Sequence, residues 1–498
     1  MEYRKFFLLR LVLFWAAFGV TTPGLFAQTS AASGVPSTQM AASANAPASV
    51  CASCIRANME FLASDALQGR GSGTHDELVA ATFIAAQLRE YGIEPACTDG
   101  GYLQPVTVIH QALARMPRLS FQMPGKQGPS TVSWSYGQQF VTVYLGQIDF
   151  SGPLQKIDVD AEKTDVKRGA VVYVFGKNAD KVRALAPAYL TQGAIAVLSP
   201  PSKTRLANWV KLGKDLPEVT PVVEGGEVIG GTRLNLIAVN KAAQATLGKL
   251  PDGTKLHFHG AAGPVKKNQT WNVIGTIRGS DESLRDSAIM FSAHLDHLGI
   301  GAPVNGDNIY NGADDDASGV IAVLELARVL GQGPRPTRSV YFTLFGSEEL
   351  GGLGSTYFRE HPPLPLKDFA AMLEFEMIGR IDPAVGPDQL WLTGWERSNL
   401  GPELAAHGAA LVGDPHPEQN FFQRSDNYVF AKKGLVAQTI SSYGMHNDYH
   451  QPSDDLAHLD FEHIDEAIAS LLKPIEWLVN SDFKPEWKPG QNPKTATD

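Results

Sequence analysis

Ala288-Ile289-Met290-Phe291-Ser292-Ala293-His294-Leu295-Asp296-His297 is the stretch that decides how this 498-residue chain is read. Its first six residues are uncharged and do not alternate, the pattern of a strand buried on both faces. They run directly into two imidazoles and a carboxylate. Three further segments repeat the design. Ser339-Val340-Tyr341-Phe342-Thr343-Leu344-Phe345 is followed by Gly346-Ser347-Glu348-Glu349. Ala371-Met372-Leu373-Glu374-Phe375 ends in Glu376-Met377-Ile378-Gly379, and Leu435-Val436-Ala437-Gln438-Thr439-Ile440 precedes a loop with His446, Asp448, Tyr449 and His450. Helical patterns alternate with these strands from Trp271 to about Leu478. That order predicts an α/β fold, with a mixed, mostly parallel central sheet and helices on both faces.

In an open α/β sheet, ligands bind beyond the carboxyl ends of the strands. Four such ends meeting at one edge would pool acids and imidazoles there. A fifth cluster, Asp314-Asp315-Asp316, lies between the first strand and a helix starting near Ser318 that carries Val320, Leu324, Ala327 and Val329. Taken singly, an Asp triplet is a solvated turn or a helix cap, and a Glu pair is ordinary surface. Jointly they are costly to crowd together unless cations neutralise them. Imidazole and carboxylate together suit zinc, and two metals about 3.5–4 Å apart can activate one water and polarise a carbonyl.

Working outward, residues 116–265 change character. Short β-like runs such as Thr142–Leu145, Ala170–Val174 and Ala194–Leu198 are separated by Gly, Pro and Lys-rich turns, predicting a β-rich inserted domain. His257 and His259 alternate on one of its strands, as either a solvated face or a metal pair. Upstream, Arg56 to Gly92 is helical in pattern, with Leu78, Phe83, Ile84, Leu88 and Tyr91 on one face and Gly92 suited to a C-terminal cap. Gly69-Arg70-Gly71-Ser72-Gly73 interrupts it. No strand precedes these glycines, so they form a turn and not a nucleotide-binding loop.

The N-terminus has the features of an export signal: Met1 to Lys5 are basic, Phe6 to Val20 are apolar apart from Arg10, and Ala27 precedes polar Gln28. A short membrane anchor is the alternative, and no other segment approaches the ~20 apolar residues of a spanning helix. The expected organisation is a signal peptide at 1–27 and a flexible linker at 28–50, then a first catalytic part at 51–115. The insertion at 116–265, the main catalytic region at 266–482 and a polar, unstructured tail at 483–498 complete it. The cysteines, Cys51, Cys54 and Cys97, lack the second pair of a zinc ribbon and predict one disulfide and one free thiol. A formal net charge of −10, with no Lys/Arg-rich run, argues against a nucleic-acid partner.

Read in order, S-A-H-L-D-H, N-G-A-D-D-D-A-S-G, G-S-E-E-L-G-G-L-G-S, F-E-M-I-G-R and D-Y-H-Q-P-S-D resemble the secreted bacterial aminopeptidases with two co-catalytic zinc ions. The likeness covers about residues 270–460 and extends weakly to F-L-A-S-D-A-L-Q-G-R-G-S-G-T; the insertion looks like a protease-associated domain. The resemblance implies that His294 and Glu376 bind one Zn2+, Glu349 and His450 the other, and Asp315 bridges both. It makes Glu348 the general base for a metal-bridging hydroxide, Tyr449 the oxyanion donor, and Asp296 the residue orienting His294. Relatives often have Asp at the position of Glu376. His446 competes with His450, although the D-Y-H frame favours His450. Asp426 and Asn427, in R-S-D-N where relatives often carry His for Asn, are expected to line the substrate pocket.

The resemblance implies a zinc-dependent exopeptidase acting on peptides with a free N-terminus. The leader makes it periplasmic or extracellular, without stable membrane insertion after signal cleavage. A carboxypeptidase of the same fold would need a basic residue for the substrate carboxylate, and Arg380, Arg397 and Arg424 are available. Amide-specific or cyclising relatives fit less well, because the two-metal set is complete. A non-catalytic receptor-like module would have lost ligands, and none is missing.

Overall fold

Every residue from Ala288 to His294 is buried, and the strand they form lies at the centre of a ten-stranded sheet. The structure, a computed structural model, describes residues 49–125, 128–161, 165–226, 235–387 and 389–493. The expected signal peptide and nearly all of the linker lie outside these residues. No helix among the described residues is long and apolar enough to cross a membrane.

Ala288–His294 pairs in parallel with Val340–Phe345 on one side and Phe369–Phe375 on the other, and the latter pairs in parallel with Val436–Ser441. These are the four strands expected to end in ligand-type residues, so all four ends emerge at one edge. Antiparallel partners flank them: Ala262–Ile277 beside Val340–Phe345, and Leu390–Leu392 beside Val436–Ser441. The sheet is therefore mixed with a parallel centre.

Successive side chains on a strand point to opposite faces, and here each face has its own cover. Ile289, Phe291 and Ala293 pack into one core with the helices Ala52–Leu62, His75–Glu90, Gly319–Gln332 and Phe461–Asn480. Ala288 and Met290 face a second core, built with Phe358 and Phe430 from the helices Leu353–Glu360 and Asn427–Ala431. The helix after the Asp triplet starts at Gly319 and buries Val320, Leu324 and Ala327. Gly319 has to be glycine: a Cβ there would meet Phe375 O at 2.3 Å and the Asp316 carboxylate at 2.4 Å.

The helical pattern over Arg56–Gly92 resolves into two helices separated by a tight turn at Asp65–Arg70. Thr74 caps the second helix by accepting from Glu77 N–H, and Glu77 reaches back to accept from Gly73 N–H at 2.7 Å. At its end Gly92 takes φ +79° while Ile93 N–H donates to Leu88 O and Gly92 N–H to Arg89 O, the paired bonds of a Schellman cap. Across the first turn of the first helix, the N-cap Cys51 and Cys54 form a disulfide, and Cys97 is free.

A second, eight-stranded sheet spans residues 118–259, with its own apolar cores under the helices Ala179–Thr191 and Lys241–Lys249. One strand within the expected insertion belongs elsewhere. Glu218–Val223 pairs with Leu103–Leu113 and extends the main sheet. The 483–498 segment also departs from expectation over its described part. Trp487 Nε1 donates to Gly434 O at 3.0 Å and Lys488 N–H to Arg397 O at 2.7 Å, so an aromatic anchor docks a stretch whose composition is that of a solvated tail.

Candidate metal centre and substrate pocket

His294 ends its strand almost fully buried, with Nε2 3.1 Å from Asp315 Oδ1. Asp315 Oδ2 lies 3.2 Å from His450 Nε2, which in turn lies 3.2 Å from Glu349 Oε2. Asp315 thus stands between two groups of donors. Glu376 follows the strand Phe369–Phe375 and, with Glu348, Asp315 and His450, lines one cavity. His446 turns away: its Nε2 meets Asp314 Oδ2 at 2.9 Å, leaving His450 alone of the two against Asp315 and Glu349.

These distances test whether a metal fits. His294 Nε2, Glu349 Oε1 and both ring nitrogens of His297 are buried and make no hydrogen bond, although charged groups surround them. The separations of Asp315 from His294 and His450, and of His450 from Glu349, are 3.1–3.2 Å, close to the roughly 3.3 Å between neighbouring ligands of a tetrahedral ion with ~2.0–2.1 Å bonds. Converging lone pairs without mutual hydrogen bonds are what a shared cation needs, and the imidazole–carboxylate mixture suits zinc.

Electrostatics point the same way. Burial disfavours charge on His294, yet the adjoining Asp296 and Asp315 carboxylates outweigh it and hold its pKa well above the ordinary histidine value. At His450 burial again opposes protonation, and Asp315 and Glu349 push the pKa up to about 10. The carboxylates demand positive charge, which protons on the imidazoles or a divalent cation can supply. At Glu348, burial together with the Asp426, Glu349 and Glu376 carboxylates raises the carboxyl well above its usual range. Burial also raises the Tyr449 phenol, helped by Asp315 and Glu349, so it stays protonated; its ring stacks on His450 with centroids 3.9 Å apart.

Four residues outside the expected set build the centre. His297 Nδ1 sits 2.8 Å from Glu349 Oε1 and 3.9 Å from Asp315 Oδ2, fully buried. Its signal was its place three residues after His294 at the same strand end. Asp454, the last residue of D-Y-H-Q-P-S-D, accepts the N–H groups of Asp314 and Asp315 at 3.0 Å each and so holds the aspartate loop. Arg70 is fully buried and donates to Leu62 O, Leu295 O, Asn311 O and Gly312 O, tying the first helix to the loop after His294 and to the loop before Asp314. Glu77, beyond capping its helix, accepts from Ser347 N–H at 3.2 Å at the head of the Glu348 loop. Neither Arg70 nor Glu77 lies in a motif of ligand spacing.

Two expectations shift. Asp296 does not meet His294 chiefly through its carboxylate. His294 Nδ1 is 3.1 Å from the Asp296 main-chain oxygen and 3.7 Å from Oδ1. The carboxylate instead accepts the N–H groups of Glu348 at 2.9 Å and Glu349 at 3.4 Å, and the Ser72 hydroxyl. Asp426 and Asn427 do not line the pocket. Both are buried behind it, Asp426 accepting from Ser355 Oγ and Asn427 N–H donating to Glu374 Oε2. A short helix begins at Asn427 and turns these side chains inward, while Phe421 and Arg424 of the same loop face the cavity. Trp391 and Phe421 stack with centroids 5.3 Å apart, and Tyr443 packs edge-on against Phe421, giving the pocket an aromatic wall.

Residues 272–473 match the model of Peptidase family M28. A probable lipoprotein aminopeptidase of Mycobacterium tuberculosis is 27% identical over 274 residues, 47% of this chain and 51% of that protein. Leupeptin-inactivating enzyme 1 of Streptomyces exfoliatus is 35% identical over 115 residues, 23% of this chain and 24% of that enzyme. The chain thus spans about half, or less, of the length of these curated relatives. An aminopeptidase from Aneurinibacillus sp. strain AM-1 shares the fold, with a TM-score of 0.52 and 20% identity over 90% of this chain and 97% of that one. The residues that match the Peptidase family M28 model, 272–473, are those that carry the four strand ends and their imidazole–carboxylate centre.

Proposed function

We propose that this protein is a di-zinc aminopeptidase that removes N-terminal residues from peptides outside the cytoplasm. The observation that carries the reading is Asp315 standing within 3.2 Å of both His294 and His450, with Glu348 beside it at the same cavity. His294, Asp315 and Glu376 would hold one ion; Asp315, Glu349 and His450 the other. When bound, such ions polarise a carbonyl and make water a nucleophile at neutral pH. Glu348 carries the proton. Its carboxylate would take a proton from water and keep it until the departing amine accepts it. The protonated Tyr449 hydroxyl is the donor for the developing oxyanion. Asp296 and Glu77, which accept from Glu348 N–H and Ser347 N–H, fix the loop from which Glu348 works.

Export through the leader at 1–27 and a protease-associated role for the second sheet belong to the same reading. The names of the relatives support the aminopeptidase activity. A carboxypeptidase is the second reading, and Arg424 is what favours it. Arg380 is committed to Asp448 at 2.7 Å, and Arg397 and Arg424 each lie over a ring, Phe422 and Phe421, but of the three it is Arg424 that lines the cavity. The deciding experiment compares amino-acid p-nitroanilides with N-acetylated peptides, with and without a chelator. Chelator-sensitive cleavage confined to free N-termini is expected. Cleavage of blocked peptides from the C-terminus would overturn the substrate assignment, and chelator-resistant cleavage the metal assignment.

A further inference from the structure

His257 and His259 occupy alternate positions on the strand Lys255–His259, so both side chains leave the same face. Leu256 and Phe258 point the other way into the core of the second sheet. The strand is paired on both sides, with Arg118–Met123 and with Phe150–Asp158, so its backbone is held on both edges. Phe258 pairs with Phe150, and continuing that register sets Asp149 across from His259. On this face His257 Nε2 lies 2.8 Å from Asp149 Oδ1, and His259 Nε2 lies 2.8 Å from Ser120 Oγ. The two imidazole centroids are 3.6 Å apart. One ligand atom from each of Asp149, His257 and His259 falls within 4.8 Å of the others.

We propose that Asp149, His257 and His259 form a second, surface metal site, separate from the M28 centre, that takes one divalent transition-metal ion of the zinc–copper class. Two imidazoles this close repel each other when both carry protons, whereas neutral rings present two lone pairs to a shared cation. Imidazole donors favour zinc, copper and nickel, while calcium and magnesium prefer oxygen donors alone. Three protein ligands leave a coordination position open to solvent or to a further donor. Both imidazoles sit on a strand paired on both edges, and Asp149 immediately precedes the partner strand Phe150–Asp158, so sheet register sets the spacing of the rings and brings the carboxylate beside them.

Zinc stoichiometry tests the assignment on the full chain. Wild type and the His257→Gln/His259→Gln double variant are loaded with ZnCl2, freed of unbound ion, and analysed for zinc per chain. The wild type is expected to retain one more equivalent than the variant, with peptidase activity equal in the two. An Asp149→Asn variant, which keeps both rings, is expected to bind that equivalent at least tenfold more weakly. With Cu2+ as the probe, electron paramagnetic resonance of the wild type should show coupling to nitrogen that the double variant lacks. Equal zinc content in wild type and double variant, or loss of the extra ion to excess Ca2+, would overturn the site. Since the readout is a difference between two chains sharing an intact M28 centre, it stands apart from the peptidase assignment.

Discussion

The Asp296 carboxylate accepts the backbone N–H of Glu348 at 2.9 Å, so the residue two places beyond His294 anchors the proposed proton carrier. One aspartate therefore links the end of the strand Ala288–His294 to the loop after Val340–Phe345. Its main-chain oxygen steadies the His294 ring while its side chain steadies the glutamates.

Asp296→Ala should lower kcat about 10–100-fold, the usual cost of losing an outer partner of a metal centre. Zinc content should fall less than in His294→Ala, because Asp296 supplies no ligand in this arrangement. Steady-state kinetics on an aminoacyl p-nitroanilide, with metal analysis of the same sample, checks both. A variant with wild-type kcat would remove Asp296 from the positioning role.

Glu348→Gln keeps the size of the side chain and abolishes proton transfer. Turnover should drop by roughly 10²–10⁴-fold while zinc per chain stays at the wild-type level. Retained turnover would require another proton carrier.

Arg70 donates four hydrogen bonds to main-chain oxygens from a fully buried position. Arg70→Met would strand those carbonyls, at ~1–3 kcal/mol for each buried group left unpaired. A loss of about 3 kcal/mol or more in unfolding free energy is expected in urea titration. A change under about 1 kcal/mol would mean the loops around Asn311 and Leu295 hold without it.

Arg424→Gln separates the two substrate readings. For an aminopeptidase, hydrolysis of a leucyl p-nitroanilide should change by less than about tenfold. Were Arg424 the receptor of a substrate carboxylate, its loss should cost about 10–100-fold on C-terminal cleavage, the range of ~1.5–3 kcal/mol for a hydrogen bond to a charged group.

Burial pushes the Cys97 thiol up to about 12 from its ordinary value of 9.0, and Asp99 adds to the shift. The reactive thiolate is therefore scarce at neutral pH. Iodoacetamide at pH 8 should label the native protein slowly and the denatured, unreduced protein at one site per chain, since Cys51 and Cys54 are joined. Two or three rapidly labelled sites without reductant would contradict that pairing.

The parts of this fold legible in the sequence are those whose signals are short-ranged along the chain. Strand character, helix caps and ligand-type residues at strand ends are local, so the parallel sheet centre, the Gly92 cap and the meeting of His294, Asp315, Glu349 and His450 can be anticipated. The docking of Trp487 cannot, because two aromatics, Phe483 and Trp487, in a short polar segment set no period. Asp426 and Asn427 lie behind the pocket and not along it, because the helix beginning at Asn427 sets which side chains of that loop face the cavity.

By itself the sequence determined the α/β architecture and the chemistry of its centre, since apolar periodicity selects strands and helices and the fold then gathers the carboxyl ends of parallel strands. Only the tertiary structure decided that Arg70 and Glu77, more than two hundred residues before the loops they hold, would brace the site. It also decided that His297 would face Glu349, and that the Asp296 side chain would turn to backbone amides. Those partners are brought together by packing between elements distant in the chain, and no local spacing encodes which donor a buried carboxylate or guanidinium will meet.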